Sequence, residues 1–234
     1  DALAEIQQQV NALKNKTVQV CWKWDGYVVE FQAKHNGATP EIKDYYPGQK
    51  REDGVAYDLY KNEFPNMYRM NFNCSIRQAY GAFDNHRGEM RRGEMSVISY
   101  RSNQPMELHN TSIVLWRAED GTYELKVKVF SEAYSKKMGY RKENGRLDCE
   151  VPFKITGRLN DSQRSILQKC IEKEYSIGES KLMYQPKKGK WFLNLTYKFT
   201  SEKNEQLDPH KIMGVDLGIA CVACMGFEHT PERC

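Results

Sequence analysis

One helical face runs through residues 1–32, where Leu3, Ile6, Val10, Leu13, Thr17, Cys21 and Trp24 recur at three- and four-residue steps. Residues 34–50 hold Gly37, Pro40, Pro47 and Gly48 and read as a loop. A short helix is expected over 51–64, ending before Pro65. A longer one is expected over 66–92, with Met67, Met70, Cys74, Ala79, Ala82 and Phe83 on its apolar side. The period changes near Gly93. Met95–Tyr100 is strand-like, and Ser112–Trp116 and Tyr123–Phe130 read as two strands joined through Glu119-Asp120-Gly121, a hairpin signal. In the second of these, Leu125, Val127 and Val129 alternate with Lys126 and Lys128, so one face is buried and the other basic. Residues 149–157 suggest another strand. Residues 161–174 suggest a helix with Asp161 as N-cap. A second hairpin, Tyr175–Tyr184 with Trp191–Phe199, turns through residues 186–190. The expected fold is α+β: a helical unit, then an OB-like β-barrel carrying one helix.

Composition narrows the class. With 40% hydrophobic residues among 234, the chain can build a real core. Its seven cysteines, Cys21, Cys74, Cys149, Cys170, Cys221, Cys224 and Cys234, are scattered and odd in number, which points away from a disulfide framework and towards a reducing compartment. Cys221 and Cys224 are the only close pair. No second pair or suitably spaced histidines accompany them, so no zinc is expected. No apolar run reaches 18 residues and the start lacks a signal-peptide pattern, so no membrane partner is expected. The absence of an initiator Met suggests trimmed or processed ends.

A net charge of +4 says little by itself; where the cations lie says more. Arg69, Arg77, Arg87, Arg91, Arg92 and Arg101 are interleaved with Tyr68, Phe72, Tyr80, Phe83 and Tyr100. Guanidinium forks match phosphate oxygens and aromatic faces stack on bases, so this series is a candidate nucleic-acid contact. A solvated helix face with ordinary core aromatics would read the same way. Lys126, Lys128, Lys136, Lys137, Arg141 and Lys142, with Lys187, Lys188 and Lys190 at the second hairpin tip, make the barrel surface basic. Lysine at strand edges is also a common guard against aggregation.

Asp216 stands between Gly214 and Gly218 in an apolar run, Lys211 to Cys224. A lone carboxylate there costs several kcal/mol unless something pairs with it, and Mg²⁺ sites use one or two carboxylates. A structural Asp in a turn is the plainer reading. Actin-like and sugar-kinase ATPases also open on Gly-x-Asp-x-Gly, but a hydroxyl residue follows there, and here Ile219-Ala220-Cys221-Val222 follows.

Helical unit, basic barrel and Gly214-Val-Asp216-Leu-Gly218, in that order, resemble the miniature type V-F CRISPR-associated RNA-guided DNA endonucleases. The likeness is most specific from Trp191 to Arg233, where Lys190–Phe199, Leu207–Ala220 and Met225–Arg233 look like the last wedge strand leading into the first RuvC motif. Arg92–Arg101 is similar to the junction between recognition lobe and wedge, and Asn11–Trp24 fits the first recognition helix. The resemblance implies a recognition lobe over 1–92, most of a wedge barrel over 93–210 with its first strand missing, and the start of a RuvC nuclease domain over 211–234. Asp216 matches the family's first catalytic Asp, which with a later Glu and Asp binds two Mg²⁺ ions. Guide RNA, target double-stranded DNA flanked by a T-rich motif, and a second protein copy are the implied partners, in a prokaryotic cytoplasm and an antiviral role. The implied nucleic-acid contacts are Arg69, Arg77, Tyr80, Arg87, Arg91, Arg92, Tyr100, Arg101, Lys126, Lys128, Lys187 and Lys188. The downstream acids are not in these 234 residues, so this chain alone is expected to be inactive. A transposon-encoded TnpB-like nuclease, or a non-catalytic regulator keeping a RuvC remnant, would share these features. Val55, Tyr57, Leu59, Tyr60, Phe64, Met67, Tyr68, Met70 and Phe72 exceed one core stripe and suggest a dimer contact.

Overall fold

The structure is a computed structural model that describes residues 2–200 and, beyond them, the backbone of two strands, Met213–Asp216 and Cys224–Phe227. Helix α1 (Ala2–Lys34) buries all seven residues of its predicted face. Its sequence has no proline, and Gly37, at φ +84°, ends it by donating its N–H to Gln32 O at 2.8 Å. Helix α2 (Ile42–Tyr45) interrupts the expected loop over 34–50 with a single turn, closed at its start by Glu41 and Asp44. Helix α3 (Glu52–Tyr60) stops short of Pro65 and buries Val55 and Ala56. Helix α4 (Arg69–Arg91) packs along α1, with Phe72, Cys74, Ala79 and Phe83 fully enclosed.

Strand β1 (Met106–Leu108) comes later than expected. Met95–Tyr100 forms no strand and pairs with no strand. Asn15 takes its place: Asn15 Oδ1 accepts from Tyr100 N at 2.7 Å and Asn15 Nδ2 donates to Tyr100 O at 2.8 Å. The same face of α1 holds the rest of this connector. Gln7 Nε2 donates to Asn103 O and Gln104 O, Asn11 Nδ2 to Gln104 O, and Lys14 Nζ to Pro105 O, all at 2.8–3.1 Å. Backbone carbonyls partly withdrawn from water need such partners, so a polar stripe on α1 does the work of a neighbouring strand. Lys14 also pairs with Glu107 of β1 at 3.0 Å, and burial lowers its pKa although Glu107 opposes the shift.

Strands β2 (Ile113–Arg117) and β3 (Tyr123–Lys128) form the predicted hairpin, with Gly121 at φ +81° in its turn. Helix α5 (Glu132–Met138), capped by Ser131 and by Gly139 at φ +73°, was not anticipated. Strand β4 (Glu150–Lys154) completes an antiparallel sheet in the order β2–β3–β4. Helix α6 (Asp161–Ile171) is capped by Asn160, not Asp161; the Asn160 and Gln163 side chains each bond the other's backbone N–H. Strands β5 (Ser176–Ile177), β6 (Ser180–Gln185), β7 (Lys190–Asn194) and β8 (Tyr197–Lys198) form a second sheet β1–β6–β7 and the pair β5–β8.

The expected OB-like barrel is therefore not closed among the described residues. A cleft of about 910 Å³, floored by Leu125, Phe153, Ile155, Leu167, Trp191 and Leu193, separates β4 from β7. Successive residues 153–157 and 191–195 all line it. Side chains alternate along a strand, so both strands meet the cleft edge-on. Helices and sheets nonetheless share one core: Leu3, Ile6 and Leu13 of α1 cluster with Leu125 and Val127 of β3 and Leu182 of β6. Residues 1–199 form one unit; residues 200–234 form another. In the latter, β9 (Met213–Asp216) and β10 (Cys224–Phe227) pair antiparallel, with Asp216 opposite Cys224. Cys221, Cys234 and the side chain of Asp216 lie outside the described residues.

The suggested dimer contact is mostly interior. Val55, Phe64, Met67 and Phe72 are buried, Tyr57, Tyr60, Tyr68 and Met70 are half-buried, and Leu59 alone among the nine is exposed. The excess of apolar side chains packs α3 and α4 against α1 and the sheets.

Candidate nucleic-acid interface

The arginines of α4 are largely committed to acids. Asp25, buried in the middle of α1, accepts from Arg91 through both carboxylate oxygens, with Nε at 2.6 Å from Oδ2. Arg87 lies 3.6 Å from the same Asp25 and 2.8 Å from Glu52 of α3. Burial alone would lower the Arg87 pKa, but the hydrogen bond and charge of Glu52, with Asp25 and Asp84, raise it instead. This network stitches three helices together. Arg77 pairs with Glu179, and Arg92 is held by both oxygens of Glu94 at 2.7–2.8 Å. Arg69 stacks over Tyr57 and Phe72 and reaches Lys61 O. Arg101 is exposed on the connector, and its guanidinium has no acidic partner among the described residues.

The interleaved aromatics divide in the same way. Phe72 and Phe83 are wholly enclosed and unable to stack on a base. Tyr100 packs against the Val18, Cys21, Ala79, Phe83 and Met90 cluster, and burial pushes its phenol up to about 12. Tyr80 is half-buried with Arg51 over its ring.

The sheet lysines are different. On β3, the alternation puts Leu125, Val127 and Tyr123 into the core and Lys126 and Lys128 on the outer face. No carboxylate lies within ion-pair distance of either amine among the described residues. Each amine sits over an aromatic ring instead: Lys128 at 4.5 Å from Tyr68, Lys126 at 5.9 Å from Trp116. Lys188, at the β6–β7 turn, repeats the pattern over Phe192 at 4.9 Å, and Lys187 stands exposed beside it. Asn71, buried in α4, fixes the end of β3 by donating to Lys128 O at 3.0 Å while accepting from His109 N and Ser112 Oγ. Tyr68 N donates to Val129 O at 2.8 Å, which places the Tyr68 ring beside Lys128. Thus the structure brings together Tyr68, Trp116, Lys126 and Lys128, and leaves Arg77, Arg87 and Arg91 of α4 paired with acids elsewhere. Trp116 and Phe192 were not among the sequence candidates; strand pairing brings Lys126 beside Trp116, and the β6–β7 turn brings Lys188 over Phe192.

Cys21 and Cys74 are buried thiols pushed up to about 12 by burial, and neither is a reactive nucleophile. Among the described residues no group of three or more His, Cys, Asp or Glu could hold a metal ion, and no helix is long and apolar enough to cross a membrane.

No protein-family model matches the chain. It is 29% identical over 231 residues to the CRISPR-associated endodeoxyribonuclease Cas12f1 of Sulfoacidibacillus thermotolerans, a match covering 99% of this chain and 52% of that protein. It is 25% identical over 213 residues to the Cas12f1 of Syntrophomonas palmitatica, covering 85% of this chain and 41% of that one. The chain thus spans about half the length of the curated relatives it matches. In fold it is similar to the protein in a cryo-EM structure of a Cas12f1-sgRNA-target DNA complex, with TM-score 0.57, 11% identity, and coverage of 99% of this chain and 48% of that one.

Proposed function

We infer that the chain is a segment of a miniature Cas12f-type nuclease, and that it supplies the guide-RNA- and DNA-binding part of an RNA-guided double-stranded DNA endonuclease. The observation that carries this is the similarity to Cas12f1 along 99% of the chain, from α1 through Asp216. Relatives of that name favour it over the transposon-encoded alternative. The uncommitted lysines of β3 and of the β6–β7 turn support it, because phosphate contacts need cations that no carboxylate already neutralises. Residues 1–92 would serve as recognition lobe and 93–210 as wedge, and reading of a T-rich flanking motif would fall to side chains of these two parts. The open edges of β4 and β7 suit a barrel completed by one further strand, which would lie in the cleft between them.

Asp216 would be one carboxylate of the nuclease site, binding Mg²⁺, a hard cation that takes oxygen ligands. When bound in pairs, such ions clamp the attacking and leaving oxygens of a phosphodiester. One acid cannot do this, so the 234-residue chain is expected not to cut DNA even with guide and Mg²⁺. In the complete protein, Asp216→Ala should abolish cleavage and keep target affinity within about tenfold, roughly 1.4 kcal/mol. A collapse of binding as well would make Asp216 structural. Guide-RNA affinity of the chain should fall linearly on a log–log plot against salt, by about 0.7–0.9 per phosphate contacted; a flat response would remove the nucleic-acid reading.

A further inference from the structure

The outer face of sheet β2–β3–β4 carries a surface that the charge pattern alone does not explain. Register puts Val114 opposite Lys126 and Trp116 opposite Glu124 on β2 and β3, and Pro152 opposite Lys126 on β4. Val114 is 55% exposed. Trp116 is half-buried and joins neither hydrophobic core, although Leu115, next to it, packs into the main one. The acids of this face are already matched: Glu124 to Lys154 at 3.0 Å and Glu150 to Lys142 at 2.9 Å. Its net charge therefore comes from Lys126 and Lys128.

We propose that this face binds an unpaired stretch of nucleic acid, with one base stacked on Trp116 and the flanking phosphates on Lys126 and Lys128. The proposal rests on the nucleic-acid reading above and narrows it to single strands. A duplex could use the two amines, but its bases are already stacked on one another, and it would leave Trp116 and Val114 unexplained. An unpaired base offers a flat apolar face that fits both. Base–aromatic stacking tolerates any base, so the site would follow strandedness rather than sequence.

The test compares binding of a short oligouridine and of a hairpin duplex to the 234-residue chain and its Trp116→Ala, Trp116→Leu and Trp116→Phe variants, each across a salt series. Trp116→Ala is expected to weaken oligouridine binding about tenfold, leaving duplex affinity and the oligouridine salt slope unchanged. Trp116→Phe should keep most of the affinity, and Trp116→Leu, which retains apolar bulk but no ring, should lose as much as Ala. This last comparison separates stacking from packing if Trp116→Ala also lowers the melting temperature. Equal losses on both probes, no loss on either, or full retention by Leu would overturn the proposal and leave the broader reading standing. Competition by poly-glutamate as effective as by oligouridine would assign the face to an acidic protein instead. If the wild-type chain bound neither oligonucleotide with a salt-dependent affinity, the nucleic-acid reading itself would fall.

Discussion

Arg87 and Arg91 on α4 and Lys126 and Lys128 on β3 all belong to basic stretches interleaved with aromatics in the sequence, yet their surroundings differ completely. The arginines face carboxylates carried by other helices, one of them, Asp25, with only 3% of its side chain exposed. The lysines face rings, and the carboxylates around them are matched to other lysines. A basic residue near an aromatic is thus two different things, depending on whether an acid reaches it first. Arginine's fixed fork suits the first role, since it can hold a buried carboxylate by two hydrogen bonds; the compact lysine ammonium suits the second.

Alkaline pH should separate the two regions most strongly. Burial pushes the Cys21 and Cys74 thiols from 9.0 to about 12, and the Tyr100 phenol from 10.0 to about 12. All three belong to or pack against α1 and α4. They stay protonated in the folded chain while the unfolded chain ionises, so the folded state binds more protons. Their contribution is fully present below pH 9 and is lost as pH rises towards 12. Lys14, with its pKa lowered, acts in the opposite sense near its ordinary value of 10.5, but Tyr46, also pushed up to about 12 by burial, adds to the other three. Urea midpoints measured from pH 8 upwards should fall steadily above pH 9, and amide exchange should show α1 and α4 opening first. A flat midpoint would mean that these groups are not enclosed.

Removing Arg87 and Arg91 together to Ala comes next. It leaves the Asp25 carboxylate buried without a partner, a loss of about 3 kcal/mol in urea unfolding, at the lower end because the Arg91 side chain is 38% exposed. Asp25→Asn in the same background should recover part of it. Affinity of the folded protein for RNA should barely change; a large fall in affinity with intact stability would erase the contrast with β3. The reverse pattern is expected for Lys126→Ala with Lys128→Ala: RNA binding about tenfold weaker, the salt slope reduced by roughly 0.7 per lysine, and the melting temperature unmoved. Arg92→Ala is the mildest. Its partner Glu94 is 56% exposed, so neither stability nor binding should shift measurably. A measurable drop in binding would return Arg92 to the interface.

The parts legible in the sequence are those governed by near neighbours. The face of α1 and the alternation along β3 are periodic, and every residue they assign to the core is buried. The acids that hold Arg77 and Arg91 are far away in the sequence: Asp25 and Arg91 are 66 positions apart and Arg77 and Glu179 are 102 apart, so local pattern does not show these arginines to be paired. Met95–Tyr100 has the composition of a strand, and nothing local reveals that Asn15 would take the place of a neighbour. Asp161 and Asn160 are equally good caps by type; only the reciprocal bond with Gln163 decides between them. The barrel was over-read because strand content does not say where a sheet ends. Trp116 escaped notice because a tryptophan in an apolar strand is ordinarily core, and here the register turns it outward.

Gln7, Asn11, Lys14 and Asn15 grip the connector at Asn103, Gln104, Pro105 and Tyr100 from one face of a single helix. Such an arrangement works like the teeth of a key. A substitution removes one tooth, but a residue inserted between Gln7 and Asn15 would rotate everything beyond it by about 100° and disengage the later teeth together. Sliding or turning the helix would break several of these part-buried hydrogen bonds at once. The connector that these side chains hold leads straight into β1, so the sheet β1–β6–β7 is indexed to α1 at its first strand.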